Sequence, residues 1–241
     1  MKLSRLVYLC IKNVNYYDDD SFTYDYFVTN GISQESNYSD YSVAIKNVYT
    51  PLNEAIQRLS DMEKIPYKIV EATPVGNLVD VSSLDVKVKE VVNVATTNYE
   101  RLPFANYGLG RIRLLRPYLP IAKSVFGSDV SSNKVLIEYK EEIPTFNEDE
   151  TFPSLDDTTN DGDFDFEDGE TILNEKEMAD YGINNAMCQY IIEYVQGKLE
   201  EQVDPTLANM HITRAEQYFS NLKPVSSAFN QEKVYKKYGI E

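Results

Sequence analysis

The chain has 241 residues, a formal net charge of −16 and no tryptophan, and 42% of its residues are hydrophobic. This length allows one large or two small domains with a substantial core. No apolar run approaches the roughly 20 residues of a membrane-spanning helix. Residues 147–177 hold 13 Asp or Glu against 1 Lys or Arg. The acidity therefore belongs to one segment, and the rest of the chain is nearly neutral.

The first predicted element is an amphipathic helix over Met1–Val14, in which apolar residues recur at three- and four-residue spacing. Basic residues are spread through it and no small-residue cleavage site follows, so a signal peptide is not predicted. The cysteines, Cys10 and Cys188, are both expected in helices. We interpret them as buried free thiols of a protein from a reducing compartment.

Residues 15–40 are rich in Tyr, Asp and Ser, which predicts an extended loop that packs its tyrosines on a neighbour. A strong helical pattern follows from Asp40 to Glu63. Pro51 lies inside this pattern, so either a kink or two helices end to end are expected.

The middle of the chain changes to β periodicity. Strands are predicted at Tyr67–Ala72, Val86–Val94 and Val135–Tyr139, which are rich in Val and Ile. Leu102–Val125 is predicted to be irregular, because three prolines and Gly108-Leu109-Gly110 interrupt it.

The stretch around which the chain is organised is Asn174–Leu222, which predicts two amphipathic helices in a tight antiparallel hairpin. Asp204 is the expected N-cap of the second helix, with Pro205 in its first turn. The predicted fold is mainly α (α+β): a helical bundle with a C-terminal αα-hairpin, a few short β-strands, extended loops and a C-terminal arm. The predicted parts are 1–146 with N-terminal helices and strands, 147–175 as an acidic insertion, 176–222 as the hairpin completing the same domain, and 223–241 as the arm.

The acidic segment contains carboxylates that approach the spacing of a calcium loop. Counting from Asp157 places acidic residues at positions five, nine and twelve, but position three is Thr159 and position twelve lacks the usual Glu. Phe152-Pro153 also stands where the entering helix would be. We therefore predict a solvated loop, with no metal and no cofactor. The weak metal candidates are Asp157, Asp161, Asp163, Asp165 and Asp168.

Two basic clusters are candidate partner-binding sites. The first lies in the region predicted to be irregular, near aromatic side chains, and suits either nucleic acid or an acidic protein partner. The protein partner is the favoured interpretation. The second lies in the C-terminal arm. The residues assigned to the two clusters are Arg111, Arg113 and Arg116, and Lys233, Tyr235, Lys236, Lys237 and Tyr238.

No catalytic residue is assigned. His211, on the apolar face of a predicted helix, is interpreted as packed and hydrogen-bonded. Gly108-x-Gly110 lacks the third glycine and the strand–helix context of a phosphate loop. Since no nucleophile signature accompanies these residues, we expect that the protein is not an enzyme.

Three features occur in order along the chain. The first is a helix ending in Leu52-Asn-Glu-Ala-Ile-Gln-Arg-Leu59, and the second is the valine-rich strand Val86–Val94 with the later strand Val135–Tyr139, followed by an acidic linker. The third is a closing helix pair that contains Asn185–Tyr194 and Thr213–Phe219. In this order and spacing they resemble the head–tail connector (adaptor or ring) proteins of tailed bacteriophages, where "INEAL"-type helices are habitual. The resemblance covers about Asp40 to Leu222. The long loop after the first helix and the long acidic insertion depart from the compact members. The richness in Asn and Tyr and the larger size are similar to ring proteins of crAss-like phages.

The resemblance implies a non-enzymatic virion protein of the neck, assembled in the host cytoplasm as a ring of about twelve copies. Such a ring binds the portal and the next tail or ring protein, and genomic DNA passes through it without sequence-specific binding or contact with a membrane. The arm, Val225–Glu241, is expected to grip the portal, and Asp156–Glu170 to line or rim the channel. The alternative is a soluble helical protein-interaction module whose acidic arm captures a basic partner or cations.

Overall fold

A computed structural model of the chain describes residues 1–12, 14, 23, 24, 27, 39–97, 99–108, 110–115, 134–147, 151, 176–227 and 229. The chain forms two compact units. The helical unit combines Met1–Ile65 with Pro144–Pro224, and the β unit combines Pro66–Ile143 with Val225–Glu241. The chain therefore crosses between the two units three times.

The helical unit confirms the helices predicted near both ends of the chain. The assigned helix α2 continues through Pro51, so the predicted division into two helices is not observed. The described elements of this unit are α1 (Leu3–Lys12), α2 (Ser39–Asp61), a short 3-10 helix (Met178–Tyr181), α3 (Asn185–Glu200) and α4 (Pro205–Asn221).

Helices α3 and α4 form the predicted antiparallel hairpin. The side chain of Asp204 accepts hydrogen bonds from the first-turn amides of α4, which confirms it as the N-cap, with Pro205 at the start of the helix. Tyr190 packs on Phe219 with ring centroids 5.1 Å apart. A Cβ atom on Gly197 would lie 2.7 Å from side-chain atoms of Ile212 and 3.1 Å from a backbone oxygen. The two helices thus approach closely at Gly197.

Helices α1 and α2 both pack against α3. Gln196 of α3 is buried and donates to the backbone oxygen of Leu9 at 2.9 Å. Arg58 of α2 makes two hydrogen bonds with the carboxylate of Glu216 in α4, at 2.5 and 2.9 Å, and its guanidinium lies 4.4 Å from the ring centroid of Phe219. These contacts join the N-terminal helices to the hairpin.

Two aromatic residues from the predicted tyrosine-rich loop pack on α1. The ring centroids of Tyr24 and Phe27 lie 5.5 and 5.7 Å from that of Tyr8. The guanidinium of Arg5 lies 4.6 Å from the ring centroid of Tyr24. Tyr24 and Phe27 thus pack on the neighbouring helix α1, and the rest of the predicted loop up to residue 38, apart from residue 23, lies outside the described residues.

The β unit contains two antiparallel sheets of three strands each. The first sheet has the order β1-β6-β3 and the second has the order β2-β5-β4. The strands are β1 (Lys68–Ala72), β2 (Leu78–Asp80), β3 (Val88–Thr96), β4 (Phe104–Gly108), β5 (Arg111–Leu114) and β6 (Val135–Glu141).

A shared apolar core joins one face of each sheet. In the first sheet it includes Val135, Ile137 and Tyr139 of β6, and in the second it includes Ile112 and Leu114 of β5. Because side chains alternate along a strand, these residues leave the intervening positions of each strand on the opposite face. The alternation predicted for β6 is thus confirmed.

The predicted fold class is wrong. The described residues hold four helices and six strands in two antiparallel sheets, with 44% helix and 25% strand, and this is not a mainly helical bundle. The three predicted strands are present, but the irregular region proposed for Leu102–Val125 contains β4 and β5. We interpreted Gly108-Leu109-Gly110 as a break, whereas its two glycines form the turn of a hairpin. Strand β2 has only three residues and was too short to show a period.

Candidate partner-binding surface

Arg111 and Arg113 lie on one exposed face of the second sheet. Their side chains alternate along β5 with those of Ile112 and Leu114, which are 2% and 1% exposed and belong to the core. Alternate residues of a strand are about 7 Å apart, so the two guanidinium groups start from neighbouring points on one surface. The prediction of a proline-broken loop around these arginines is wrong, because a strand holds them in a fixed register.

The turn between β4 and β5 depends on two glycines with left-handed backbone. The φ angles of Gly108 and Gly110 are 84° and 71°. The space around Gly108 is open, but a Cβ atom on Gly110 would lie 2.9 Å from Cβ of Ser82. The backbone oxygen of Gly110 also accepts hydrogen bonds from Val81 at 2.7 Å and Ser82 at 3.2 Å. Backbone hydrogen bonds therefore join the β4–β5 hairpin to the segment after β2, next to Arg111.

Asp80 partly neutralises this surface. It lies opposite Arg111 in the register of β2 and β5, and Nε of Arg111 donates to Oδ2 of Asp80 at 3.3 Å. The other carboxylate oxygen accepts from the hydroxyl of Ser82 at 2.5 Å and from its amide at 3.1 Å. The hydrogen bond from the Ser82 side chain, followed by the effect of Arg111, lowers the pKa of Asp80. Asp80 therefore remains an ionised partner that orients Arg111.

Arg113 has uncharged neighbours across the sheet. It stands opposite Leu78 of β2 and Ala105 of β4. No ion pair joins it to another residue of the described part of the chain. Its guanidinium is consequently the better placed of the two to bind a carboxylate or phosphate of a partner.

An open groove of about 320 Å³ lies beside the hairpin turn. Its lining includes Val81, Val88 and Val91 together with the polar side chains of Asn106 and Arg111. An apolar side chain flanked by a carboxylate would match this mixture of valines and a guanidinium. Lys89 and Glu90 also line the groove, so its lining combines apolar side chains with charges of both signs.

The structure does not describe the remaining predicted site residues. Arg116, the arm residues Lys233, Tyr235, Lys236, Lys237 and Tyr238, and the metal candidates Asp157, Asp161, Asp163, Asp165 and Asp168 all lie outside the described residues. Within the described ranges, no group of three or more His, Cys, Asp or Glu side chains is arranged to hold a metal ion.

His211 has the structural role predicted for it. It is 6% exposed, and its Nδ1 atom lies 2.7 Å from Oε2 of Glu193 on the neighbouring helix. Cys10 and Cys188 are both free and buried, as predicted. Burial raises the pKa of both thiols, that of Cys188 to about 11, so neither is activated as a thiolate at neutral pH.

The sequence did not reveal a polar cluster that joins β6 to the C-terminal segment. Glu138 is 1% exposed and accepts hydrogen bonds from Asn93 at 2.7 Å and from the hydroxyl of Ser227 at 2.6 Å. Phe229 is fully buried nearby, against Tyr99. Alternation alone assigns Glu138 to a solvent-exposed face, so its burial could not be predicted. Its position in the middle of β6 was the one sequence feature that pointed to a polar cluster.

The comparisons with known proteins do not identify a relative. No protein-family model matches the sequence, and none of the curated proteins is significantly similar to it. Among the helices that the structure describes, none combines the length and apolar character needed to cross a membrane.

Proposed function

We propose that this chain is the repeating subunit of a ring in the neck of a tailed bacteriophage, between the portal and the next tail component. The proposal rests on the resemblance in the order of elements, and the contacts between those elements support it. The six strands differ from the mainly helical bundle that the sequence pattern predicted. The helices on which the resemblance depends are nevertheless present.

The observation that carries the proposal is the packing of the closing hairpin on the "INEAL"-type helix. Arg58, within the quoted sequence of α2, binds Glu216 of α4 through both carboxylate oxygens. The hydroxyl of Tyr194 in α3 donates to Glu54 at 3.3 Å. Segments separated by more than 100 residues thus form one helical unit. A rigid unit of this kind suits a subunit that must repeat the same contact around a closed ring.

The two strands quoted for the resemblance provide a second, weaker support. Strands β3 and β6 are antiparallel neighbours, with Thr96 opposite Val135 at one end and Val88 opposite Glu141 at the other. Register shifts between Val88 and Glu90 and between Val91 and Asn93 interrupt the pairing. The valine-rich strand and the later strand therefore belong to one sheet.

In this proposal, the surface around Arg111 and Arg113 contacts an acidic region of an adjacent virion protein. The C-terminal arm, predicted as Val225–Glu241, grips the portal from an anchor at Phe229, which is buried against the first sheet. Surface cations that meet an acidic patch increase the association rate and select the partner. The ring itself is about twelve copies of the chain, and DNA passes through it without sequence-specific binding.

Electron microscopy of the purified full-length protein tests the ring directly. We expect closed rings with a central opening, and mass photometry should give a mass close to twelve subunits. Virions purified from cells that carry the gene should contain the protein at the neck, located by immunogold labelling. A protein that stays monomeric and is absent from virions would refute the proposal.

A charge reversal with a matched control tests the partner surface. Arg113→Glu should reduce copurification of the adjacent virion protein by about tenfold while rings still form. Arg214→Glu is the control, since Arg214 is also exposed but lies on α4 of the helical unit. Equal losses in both variants would show that general charge, not this surface, controls the contact.

Two further measurements separate the alternatives. The ring proposal predicts no saturable effect of micromolar calcium on circular dichroism, whereas a cation-binding module would titrate. If the arginines contact DNA, replacing Arg111, Arg113 and Arg116 by Ala should weaken salt-sensitive binding to a labelled duplex. Absence of binding by the wild type at low salt would eliminate the DNA interpretation.

A further inference from the structure

The outer face of the second sheet, opposite the shared core, exposes an apolar side chain beside its arginines. The backbone N–H of Leu115 donates to the oxygen of Pro103 at 2.9 Å, so the pairing of β5 continues one residue past the strand. Because side chains alternate along a strand, Leu115 shares its face with Arg111 and Arg113. Leu115 is 59% exposed. An aliphatic side chain is therefore open to solvent about 7 Å along the strand from Arg113.

The turn before β2 adds apolar side chains to the same face. Val75 and Leu78 exchange backbone hydrogen bonds of 2.8 and 3.2 Å, and Leu78 is opposite Arg113. Opposite residues of an antiparallel pair lie on one face, so Val75, Leu78 and Arg113 form a row across it. Val75 is 83% exposed, and the space around Gly76 is open. Arg113 therefore has apolar side chains both along its own strand and across the sheet.

The charges of this face are unequal. Among the described residues, the register places one carboxylate on it, that of Asp80, which already accepts hydrogen bonds from Arg111 and Ser82. No ion pair within the described ranges involves Arg113, whose neighbours across the sheet are Leu78 and Ala105. A guanidinium is weakly hydrated and binds a carboxylate through two parallel hydrogen bonds. A carboxylate of a partner can thus bind Arg113 without replacing a carboxylate of the described chain.

This combination favours a protein partner over nucleic acid. Apolar side chains around an ion pair exclude water from it, which is a property of protein interfaces. A polyanion instead gains affinity by contacting several cations at once, but Arg111 is already bound to Asp80. The exposed side chains of Val75 and Leu115 add nothing to the binding of phosphates. The face therefore suits a segment that combines acidic and apolar side chains.

We propose that this face binds an extended segment of another protein, in which a carboxylate contacts Arg113 and an apolar side chain two residues away covers Leu115 and Val75. Alternate residues of an extended chain are about 7 Å apart, which matches the separation of Arg113 and Leu115 along their own strand. The inference rests on the proposed function, in which the partner is an adjacent virion protein. It goes beyond that function because it names the residue pattern of the partner.

Binding of short peptides to the full-length protein tests this inference. The parent probe is a fluorescein-labelled peptide of serine and glycine that carries one glutamate, with a leucine two residues away on each side. One control peptide replaces the leucines by serine, and the other replaces the glutamate by lysine. In fluorescence anisotropy, we expect the parent peptide to bind at least about tenfold more tightly than either control, because each control lacks one of the two contacts.

Variants of the protein locate the contact. Arg113→Ala and Leu115→Ser should each weaken binding of the parent peptide by about tenfold. Arg214→Ala and Met62→Ser are the matched controls, since they remove an exposed arginine and an exposed apolar side chain of the helical unit. Both control variants should keep the affinity of the wild type. Circular dichroism verifies that all four variants are folded.

Three other outcomes would overturn the inference. Equal affinities for the parent peptide and the serine control would show that charge alone acts, and equal losses in the matched variants would place the contact elsewhere. A labelled DNA duplex that binds more tightly than the peptide, and binds less tightly to Arg113→Ala, would make nucleic acid the occupant. Dissociation of the protein's own assemblies by Leu115→Ser, seen in mass photometry, would make a second copy the occupant.

Electron microscopy of the same samples separates this inference from the ring proposal. Rings without peptide binding would refute the inference and leave the ring standing. Peptide binding without rings would refute the ring, and the face would still be a site for an acidic and apolar segment. If neither rings nor peptide binding are observed, both proposals fail.

Discussion

The turn between β4 and β5 permits a test in which two glycines differ in one property. Gly108 and Gly110 both have positive φ angles, but only Gly110 is crowded, with Cβ of Ser82 2.9 Å from the position of an added Cβ. A left-handed backbone costs a residue with a side chain roughly 1–2 kcal/mol. Overpacking costs a further 1–3 kcal/mol or so. We therefore expect Gly108→Ala to cost about 1–2 kcal/mol and Gly110→Ala about 2–5 kcal/mol of unfolding free energy.

The assay should report on the β unit itself. Amide hydrogen exchange at Val81 and Ser82 is suitable, because both amides donate to the backbone oxygen of Gly110. Gly110→Ala should accelerate their exchange at least tenfold more than Gly108→Ala does. The double variant Gly110→Ala/Ser82→Gly should recover part of the loss, since it removes the crowded atom. Equal exchange rates in the two alanine variants would refute the reasoning from crowding.

Three further predictions concern the helical unit. Gly197→Ala should destabilise the helical unit by about 1 kcal/mol in urea unfolding, because overpacking against Ile212 exceeds the gain in helix propensity. Adding Ile212→Ala to the same chain should reduce that cost. A Gly197→Ala variant that is more stable than the wild type would contradict the close approach of the two helices. Burial raises the pKa of Tyr190 from 10.0 to about 12. The neutral Tyr190 side chain therefore contributes fully to the free energy of unfolding below pH 10, and about 2–3 kcal/mol of that free energy is lost as the pH rises to about 12. Tyr190→Phe should lose less stability than the wild type between pH 9 and pH 12, and an equal loss in both proteins would exclude Tyr190 as the cause. The side-chain amide of Asn53 donates to the backbone oxygen of Phe146 at 2.8 Å and accepts from the Phe146 amide at 2.9 Å. Asn53→Ala should therefore lower the free energy of unfolding by about 1–3 kcal/mol. Hydrogen exchange of the Phe146 amide measures this loss, and unchanged protection would show that the two hydrogen bonds contribute little.

Much of the helical unit could be predicted because its signals are local. Asp204 and Pro205 mark the start of α4 within two residues, and apolar spacing along one helix needs no knowledge of its partner. Arg58 and Glu216 pair across 158 positions, and nothing in the sequence near either residue indicates the other. The helices could therefore be predicted, but their contacts could not.

The β unit was only partly predictable, for the same reason. Strand β6 was detected because its apolar residues alternate, with Val135, Ile137 and Tyr139 on the core face. Strands β2 and β5 have three and four residues, too few to establish alternation. Arg111 and Arg113 were identified as a candidate site from their charge, but their common face depends on the register with β2. The burial of Glu138 depends on a segment that is distant in sequence.

The three crossings between the two units have a consequence for the integrity of the chain. Each crossing is marked by a proline: Pro66, Pro144 or Pro224. Neither unit corresponds to one continuous stretch of chain, so neither can be excised by cutting at a single bond. A cut at residue 143 would leave each fragment with part of the helical unit, where α2 and α3 remain packed together. A nicked chain is therefore expected to migrate as one particle in native conditions and as two pieces only after denaturation.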